Sequence, residues 1–140
     1  MILNECKYAE KCLEENNVGE NLFKTLPILA RYFSHKMGYS TEKIEDELLA
    51  FTEKNYKGYY KKRLYINSFI EKISSGAKDT PLREIDGVWI TKKELNVIRS
   101  IGDSSAERLL FSLLCYAKFN IAKNPKSNGW INDAVSEIFT

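Results

Sequence analysis

Hydrophobic residues recur at intervals of three and four positions along most of this 140-residue chain. This spacing places them on one face of a helix, so it is typical of amphipathic α-helices. Three prolines and seven glycines are few breakers for this length, which favours helices joined by short turns. The pattern predicts helices at about 3–15, 20–37, 41–55, 60–75 and 105–123, one from a Thr91 cap to about Ile101, and the start of a last helix at 133–139.

Capping side chains mark where several of these helices begin. Ser40 or Thr41 caps the third helix, where the hydroxyl accepts from a free backbone N–H. Thr91 and Glu94 have the spacing of a capping box, in which each side chain satisfies an N–H of the other residue. Ser104 and Glu107 repeat this spacing and predict the start of the sixth helix.

Pro27 lies inside the second predicted helix. Because proline lacks an N–H and its ring crowds the preceding turn, either the helix starts near Pro27 or it kinks there. The apolar positions on either side of Pro27 share one face and predict a buried stripe formed by Leu22, Leu26, Leu29, Phe33 and Met37.

The pattern changes between residues 81 and 91. Two short runs rich in apolar residues, 81–85 and 88–91, flank Asp86 and Gly87. An Asp-Gly pair supplies the positive φ angles that a tight hairpin turn requires. The sequence therefore predicts a short β-hairpin near 82–90.

The sixth predicted helix, 105–123, is apolar almost all round. A helix of this kind is usually buried on several sides, so we expect it at the centre of the domain. Hairpin, short helix, long helix and a Trp130-containing extended piece together suggest a winged-helix-like order. The predicted fold is mainly α: a compact multi-helix bundle with one short β-hairpin. It forms a single domain, 1–140, with a helical part at 1–76 and a winged-helix-like part at 81–140.

Composition and charge narrow the class of protein. The net charge of +2 excludes a histone-like binder, and 44% hydrophobic residues argue against wholesale disorder. Cys6, Cys12 and Cys115 are an odd set without a CxxC pair, which predicts neither disulfides nor a zinc site. No signal peptide is visible, and the most apolar stretch, 109–122, is shorter than the ~20 residues that span a bilayer. We expect a soluble protein of the host-cell cytoplasm.

The sequence carries no pattern typical of catalysis or of cofactor binding. It has no phosphate-binding loop, dinucleotide fingerprint, nucleophile elbow or zinc-protease string, so we expect no enzyme, no cofactor and no metal. His35 is the sole histidine and predicts a structural or surface role. The acidic residues at 42 and 45–47 lack the glycine-containing loop of a calcium site and predict a solvated helix face.

The best binding signal is the segment 54–65, which we call the basic tyrosine segment. Its twelve residues contain five cations, four tyrosines and no acid. Cations neutralise phosphates and tyrosine rings stack on bases, but the same residues suit an acidic protein surface, and a helix start with half-buried tyrosines is equally consistent. The predicted binding residues are Lys54, Tyr56, Lys57, Tyr59, Tyr60, Lys61, Lys62 and Arg63.

Several strings resemble a set of uncharacterised conserved proteins of phages and prophages of Gram-positive bacteria. They are TLPILARYFSHKMGYSTEKIEDELLAFTEKNY, EIDGVWITKKELNVIRSI, ERLLFSLLCYAKFN and NGWIND followed by EIF. The resemblance covers about 22–139 and implies origin in a mobile element, without an activity. It also implies relatives that continue past Thr140 into a winged-helix segment, of which this chain would be a shortened form.

Two functions are consistent with these observations. The first is a non-enzymatic phage or mobile-element accessory protein that binds nucleic acid, or a host nucleoprotein complex, in replication or regulation. The alternative is a phage-encoded inhibitor of host defence, of the anti-CRISPR type, that acts by binding protein. No membrane partner is expected, and a homodimer is compatible with a tyrosine-rich surface.

Overall fold

The computed structural model describes residues 2–124, which fall into two compact units, 2–84 and 85–124. The described residues are mainly α-helical, as the hydrophobic spacing predicts. Whether the chain behaves as a single domain stays a prediction. The elements are α1 (Glu5–Glu15), α2 (Leu22–His35), α3 (Thr41–Asn55), a short 3₁₀ helix (Tyr60–Lys62), α4 (Arg63–Gly76), a second 3₁₀ helix (Ala77–Asp79), α5 (Lys92–Arg99) and α6 (Ser104–Lys123).

Helix α2 is the centre of the first unit and packs against α1, α3 and α4. Its residues are buried on more than one side, because Ile28 and Ala30 join the predicted stripe in the core. Met37, predicted to continue the stripe, lies past the end of α2 and is exposed. The largest fully buried apolar side chains come from three helices: Leu26, Leu29, Ile44, Leu48, Ile66 and Ile70.

Helix α2 starts five residues before Pro27. The Asn21 side chain accepts from the backbone N–H of Phe23 at 2.9 Å and thereby caps the helix at Leu22. The alternative in which the helix starts near Pro27 is therefore wrong. Since proline has no N–H, Pro27 leaves the carbonyl of Phe23 without its helical donor.

The end of the first unit is held against α1 and α2 by polar contacts. The two carbonyl oxygens of Ala77 and Thr80 lie 3.1 and 2.8 Å from His35 Nε2. A carbonyl oxygen only accepts, so Nε2 carries the hydrogen and donates to both. His35 thus has the structural role that the sequence predicts.

Glu5 joins the first turn of α1 to residue 83. Its backbone N–H donates to the Arg83 carbonyl at 2.7 Å, and its carboxylate accepts from the Arg83 backbone N–H at 2.8 Å. The same carboxylate forms an ion pair with Arg31 of α2, although Glu5 is 6% exposed. A buried carboxylate needs such donors, because burial of an unpaired charge is costly.

The predicted β-hairpin near 82–90 is wrong. Residues 2–124 contain no β-strand, and Glu84 forms an isolated antiparallel bridge with Asn4 instead. Gly87 does not adopt the positive φ of the expected turn. The boundary between the two units follows Glu84 and therefore falls inside the predicted hairpin. Trp89, in the second predicted strand, is 91% exposed. The winged-helix-like interpretation of 81–140 required this hairpin, so it is wrong in its described part; the Trp130 piece and the last helix lie outside the described residues.

The second unit consists, in its described part, of α5 packed on α6. The predicted capping box is confirmed: Thr91 Oγ1 accepts from the N–H of Glu94 at 3.2 Å, and Glu94 Oε2 accepts from that of Thr91 at 2.8 Å. Lys118 of α6 donates to the same Glu94 oxygen at 2.8 Å. These contacts lower the pKa of the Glu94 carboxyl, with the Lys118 bond as the largest cause. Helix α6 is capped by Asp103 rather than by Ser104.

The prediction that the sixth helix is buried at the centre of the domain is wrong. Of the α6 residues, 104–123, only Tyr116 is buried, and Leu109, Phe111 and Ile121 are exposed. The eight residues of α5 are too few to cover the twenty of α6. An open apolar groove of about 310 Å³ remains between the two helices. Within residues 2–124, no helix is long and apolar enough to cross a membrane.

Replacing Thr91 by alanine removes the side-chain half of the capping box. We expect it to destabilise the second unit by about 1 kcal/mol, the usual cost of losing an N-cap hydroxyl. Urea unfolding followed by far-ultraviolet circular dichroism measures this change. Thr91→Ser keeps the hydroxyl and should unfold close to wild type; equal losses in both variants would contradict the role of the box.

Candidate functional site

The basic tyrosine segment forms the connection from α3 to α4. Lys54 lies in the last turn of α3, and Tyr56 is the cap residue that ends it. Two further turns follow: the Tyr59 N–H donates to the Tyr56 carbonyl at 3.2 Å, and the Lys62 N–H donates to the Tyr59 carbonyl at 3.1 Å. The segment is therefore an ordered series of turns, and its backbone fixes the direction in which each side chain points.

Two of the four tyrosines pack inward. Tyr59 is 7% exposed and belongs to the core, where its hydroxyl donates to Asn67 Oδ1 at 3.1 Å. Tyr56 is half-buried against the same core. Gly58 permits this arrangement, since a Cβ at that position would lie 3.1 Å from the Tyr56 ring. The interpretation that these tyrosines serve the core therefore holds for Tyr56 and Tyr59, and their rings are poor candidates for contact with a ligand.

The other two tyrosines face solvent. Tyr60 is 69% exposed and Tyr65 is 64% exposed. Tyr65 belongs to the segment but is absent from the eight predicted binding residues. The helical spacing of Ile66 and Ile70 could have identified Tyr65 as a surface residue. These two isoleucines form the buried face of α4, and residue 65 lies at the edge of that face.

The five cations of the segment are exposed and form no ion pair with another described residue. Lys54, Lys57, Lys61, Lys62 and Arg63 are all exposed. Within residues 2–124, none of them takes part in an ion pair. Since surface cations are commonly paired in a protein with nearly balanced charge, this cluster concentrates positive potential in one place.

The start of α4 adds to this potential. Its first turn contains no acidic residue, and no side chain caps it. The backbone dipoles of a helix place partial positive charge at its N-terminus, where Lys61, Lys62 and Arg63 lie. Residues 60–65 line an open depression of about 480 Å³ there. Cations at this end repel the helix dipole, so they weaken the helix and favour a bound anion.

One carboxylate lies at the edge of the segment. Tyr60 Oη donates to Glu53 Oε1 at 2.8 Å, and this bond raises the pKa of the Tyr60 phenol. The phenol therefore stays neutral, and the Tyr60 ring is held in place by a contact outside the depression.

Two cysteines of the described chain, Cys12 and Cys115, are held in the protonated form. Burial raises the pKa of the Cys12 and Cys115 thiols, which keeps them protonated and unreactive. No cluster of His, Cys, Asp or Glu able to hold a metal ion occurs in residues 2–124. The acidic residues at 42 and 45–47 are exposed or half-buried on α3, as predicted for a solvated face.

Comparison of the chain with protein-family models, with curated proteins and with solved structures finds no match. The assignment of function therefore depends on the chemistry of the basic tyrosine segment itself.

Proposed function

We propose that the protein is a non-enzymatic accessory protein of a phage or mobile element that binds nucleic acid through the basic tyrosine segment. The observation that carries the proposal is the set of exposed cations without ion-pair partners beside two exposed tyrosine rings. Phosphates are neutralised by such cations, and the release of their counterions drives binding.

The balance of charge on the whole chain does not oppose this proposal. The acidic cluster of α3 at 42 and 45–47 ends seven residues before Lys54, and the remaining α3 carboxylate, Glu53, accepts a hydrogen bond from Tyr60. Seven residues of α-helix span about 10 Å, close to one Debye length at physiological salt. A phosphate on the basic tyrosine segment is thus largely screened from that cluster, whereas Glu53 lies beside the segment and offsets part of its positive charge.

Titration of fluorescein-labelled oligonucleotides with the full chain, followed by anisotropy, tests the proposal. At 50 mM salt we expect saturable binding in the micromolar range, as for other proteins that rely on phosphate contacts. A labelled oligosaccharide without phosphates is the control ligand and should not bind. Absence of saturable binding up to about 100 μM protein, the weak limit of non-specific binding, would overturn the proposal.

A second candidate function, the inhibitor of host defence that binds protein, is favoured by one observation. Leu64 is 82% exposed between the two exposed tyrosines, and an apolar side chain beside aromatic and basic residues is typical of a protein interface. Affinity purification from the host, with nuclease in one arm, separates the candidates. Nuclease treatment should remove the partners of a nucleic-acid binder, whereas Leu64→Ala should remove those of a protein-binding inhibitor.

A further inference from the structure

We infer that the basic tyrosine segment selects single-stranded over double-stranded nucleic acid, because Tyr60 and Tyr65 are platforms for unpaired bases. This inference rests on the proposed function and names its ligand class. The two rings border the depression formed by residues 60–65, with three cations between them in sequence. Rings at the edges and charge between them are what a flexible strand with splayed bases requires.

Each ring is fixed by contacts that leave most of it exposed. Tyr60 is held by its hydroxyl bond to Glu53 and by an edge contact with Tyr59, with ring centres 5.3 Å apart. Tyr65 is held by an edge contact with Phe23, with ring centres 5.4 Å apart. A ring that is already immobile loses little conformational entropy when a base stacks on it.

Phe23 extends this support into the core. Its ring also meets Phe69 of α4 edge to face, with centres 5.2 Å apart. Tyr65 and Phe69 are four residues apart on one helix face, and Phe23 of α2 contacts both. The outward position of Tyr65 is thus set by packing between two helices.

Duplexes present a different surface. Their bases are stacked on one another inside the helix, so only unpaired nucleotides offer a free face to an aromatic side chain. On a duplex, Tyr60 and Tyr65 would contact phosphate or sugar and lose the stacking contribution. The cations would still bind, which is why charge alone does not distinguish the two ligands.

The test compares a labelled 12-nucleotide thymidylate strand with a 12-base-pair duplex at equal salt. We expect the single strand to bind at least about tenfold more tightly, and the double variant Tyr60→Ala/Tyr65→Ala to lose about 30-fold or more for the strand, as two stacking contacts predict. The double variant should change duplex binding little. Tyr65→Phe keeps both rings and leaves the Tyr60–Glu53 hydrogen bond in place, so it should bind the strand almost as wild type does.

Photocrosslinking gives an independent readout. A strand containing 5-iodouracil, irradiated in the complex and digested, should yield crosslinked peptides that contain Tyr60 or Tyr65. Equal affinity for strand and duplex, or full strand binding by the alanine variant, would overturn the single-strand inference and leave the proposed function standing. Absence of binding to both ligands would overturn the proposed function, and this inference with it.

Discussion

Replacing Lys57, Lys61, Lys62 and Arg63 together by glutamate should abolish binding to nucleic acid. For each phosphate contact, log K falls by about 0.9 for duplex DNA, or by about 0.7 for a single strand, when the salt concentration rises tenfold. Four lost contacts therefore lower the affinity at 0.1 M salt by roughly a thousandfold, and the new carboxylates repel the remaining phosphates. Anisotropy titration with labelled oligonucleotides measures the loss.

The same variant should remain folded. All four positions are exposed and lack described ion pairs. Acidic residues at the N-terminus of α4 favour the helix dipole, so we expect no loss of stability and a gain of up to about 1 kcal/mol. The control variant reverses four exposed lysines elsewhere, at 11, 72, 78 and 92, and so carries the same net charge. If both variants lose binding equally, the effect is one of overall charge and the proposed site is wrong.

Replacing Glu5 by glutamine should cause the largest loss of stability among the polar substitutions. The change removes the charge that pairs with Arg31 and places amide hydrogens among donors from Arg31 and Arg83. Loss of one partner of a buried ion pair commonly costs 3–5 kcal/mol; because the Arg31 side chain is one-fifth exposed, we expect about 2–4 kcal/mol. Urea unfolding at constant pH measures the difference.

Glu14→Gln is the matched control for this prediction, because Glu14 lies on the same helix and is exposed. It should change the stability by less than about 0.5 kcal/mol. A Glu5→Gln protein as stable as the Glu14→Gln protein would show that the contact between residue 5 and residues 31 and 83 does not hold the first unit together.

The sequence was sufficient to predict those features that depend on contacts between residues close together in the chain. Ser40 begins α3 and Thr91 with Glu94 begins α5, because a cap and its N–H groups lie within three residues of each other. The exposure of the lysines at 57, 61 and 62 is also predictable from residue type alone, because an unpaired lysine is almost never buried.

Distant contacts decided the features that the sequence did not reveal. The segment near 83 pairs with Glu5, seventy-eight residues away, and this contact removes one strand of the predicted hairpin. Helix α6 has twenty residues and its described partner α5 has eight, so α5 packs on only part of it, and the apolar composition of α6 does not encode the length of a partner. Tyr59 and Tyr60 are neighbours in the basic tyrosine segment, but only Tyr59 lies in the core, where its hydroxyl donates to Asn67.

The salt dependence of binding tests most directly whether the basic tyrosine segment binds a nucleic-acid backbone. For a single-stranded oligonucleotide, four cations predict that log K falls with log salt at a slope of about −3. Lys62→Ala should make that slope less negative by about 0.7, and the fourfold reversal should remove binding altogether. A wild-type slope near zero, or a slope that Lys62→Ala leaves unchanged, would contradict the account.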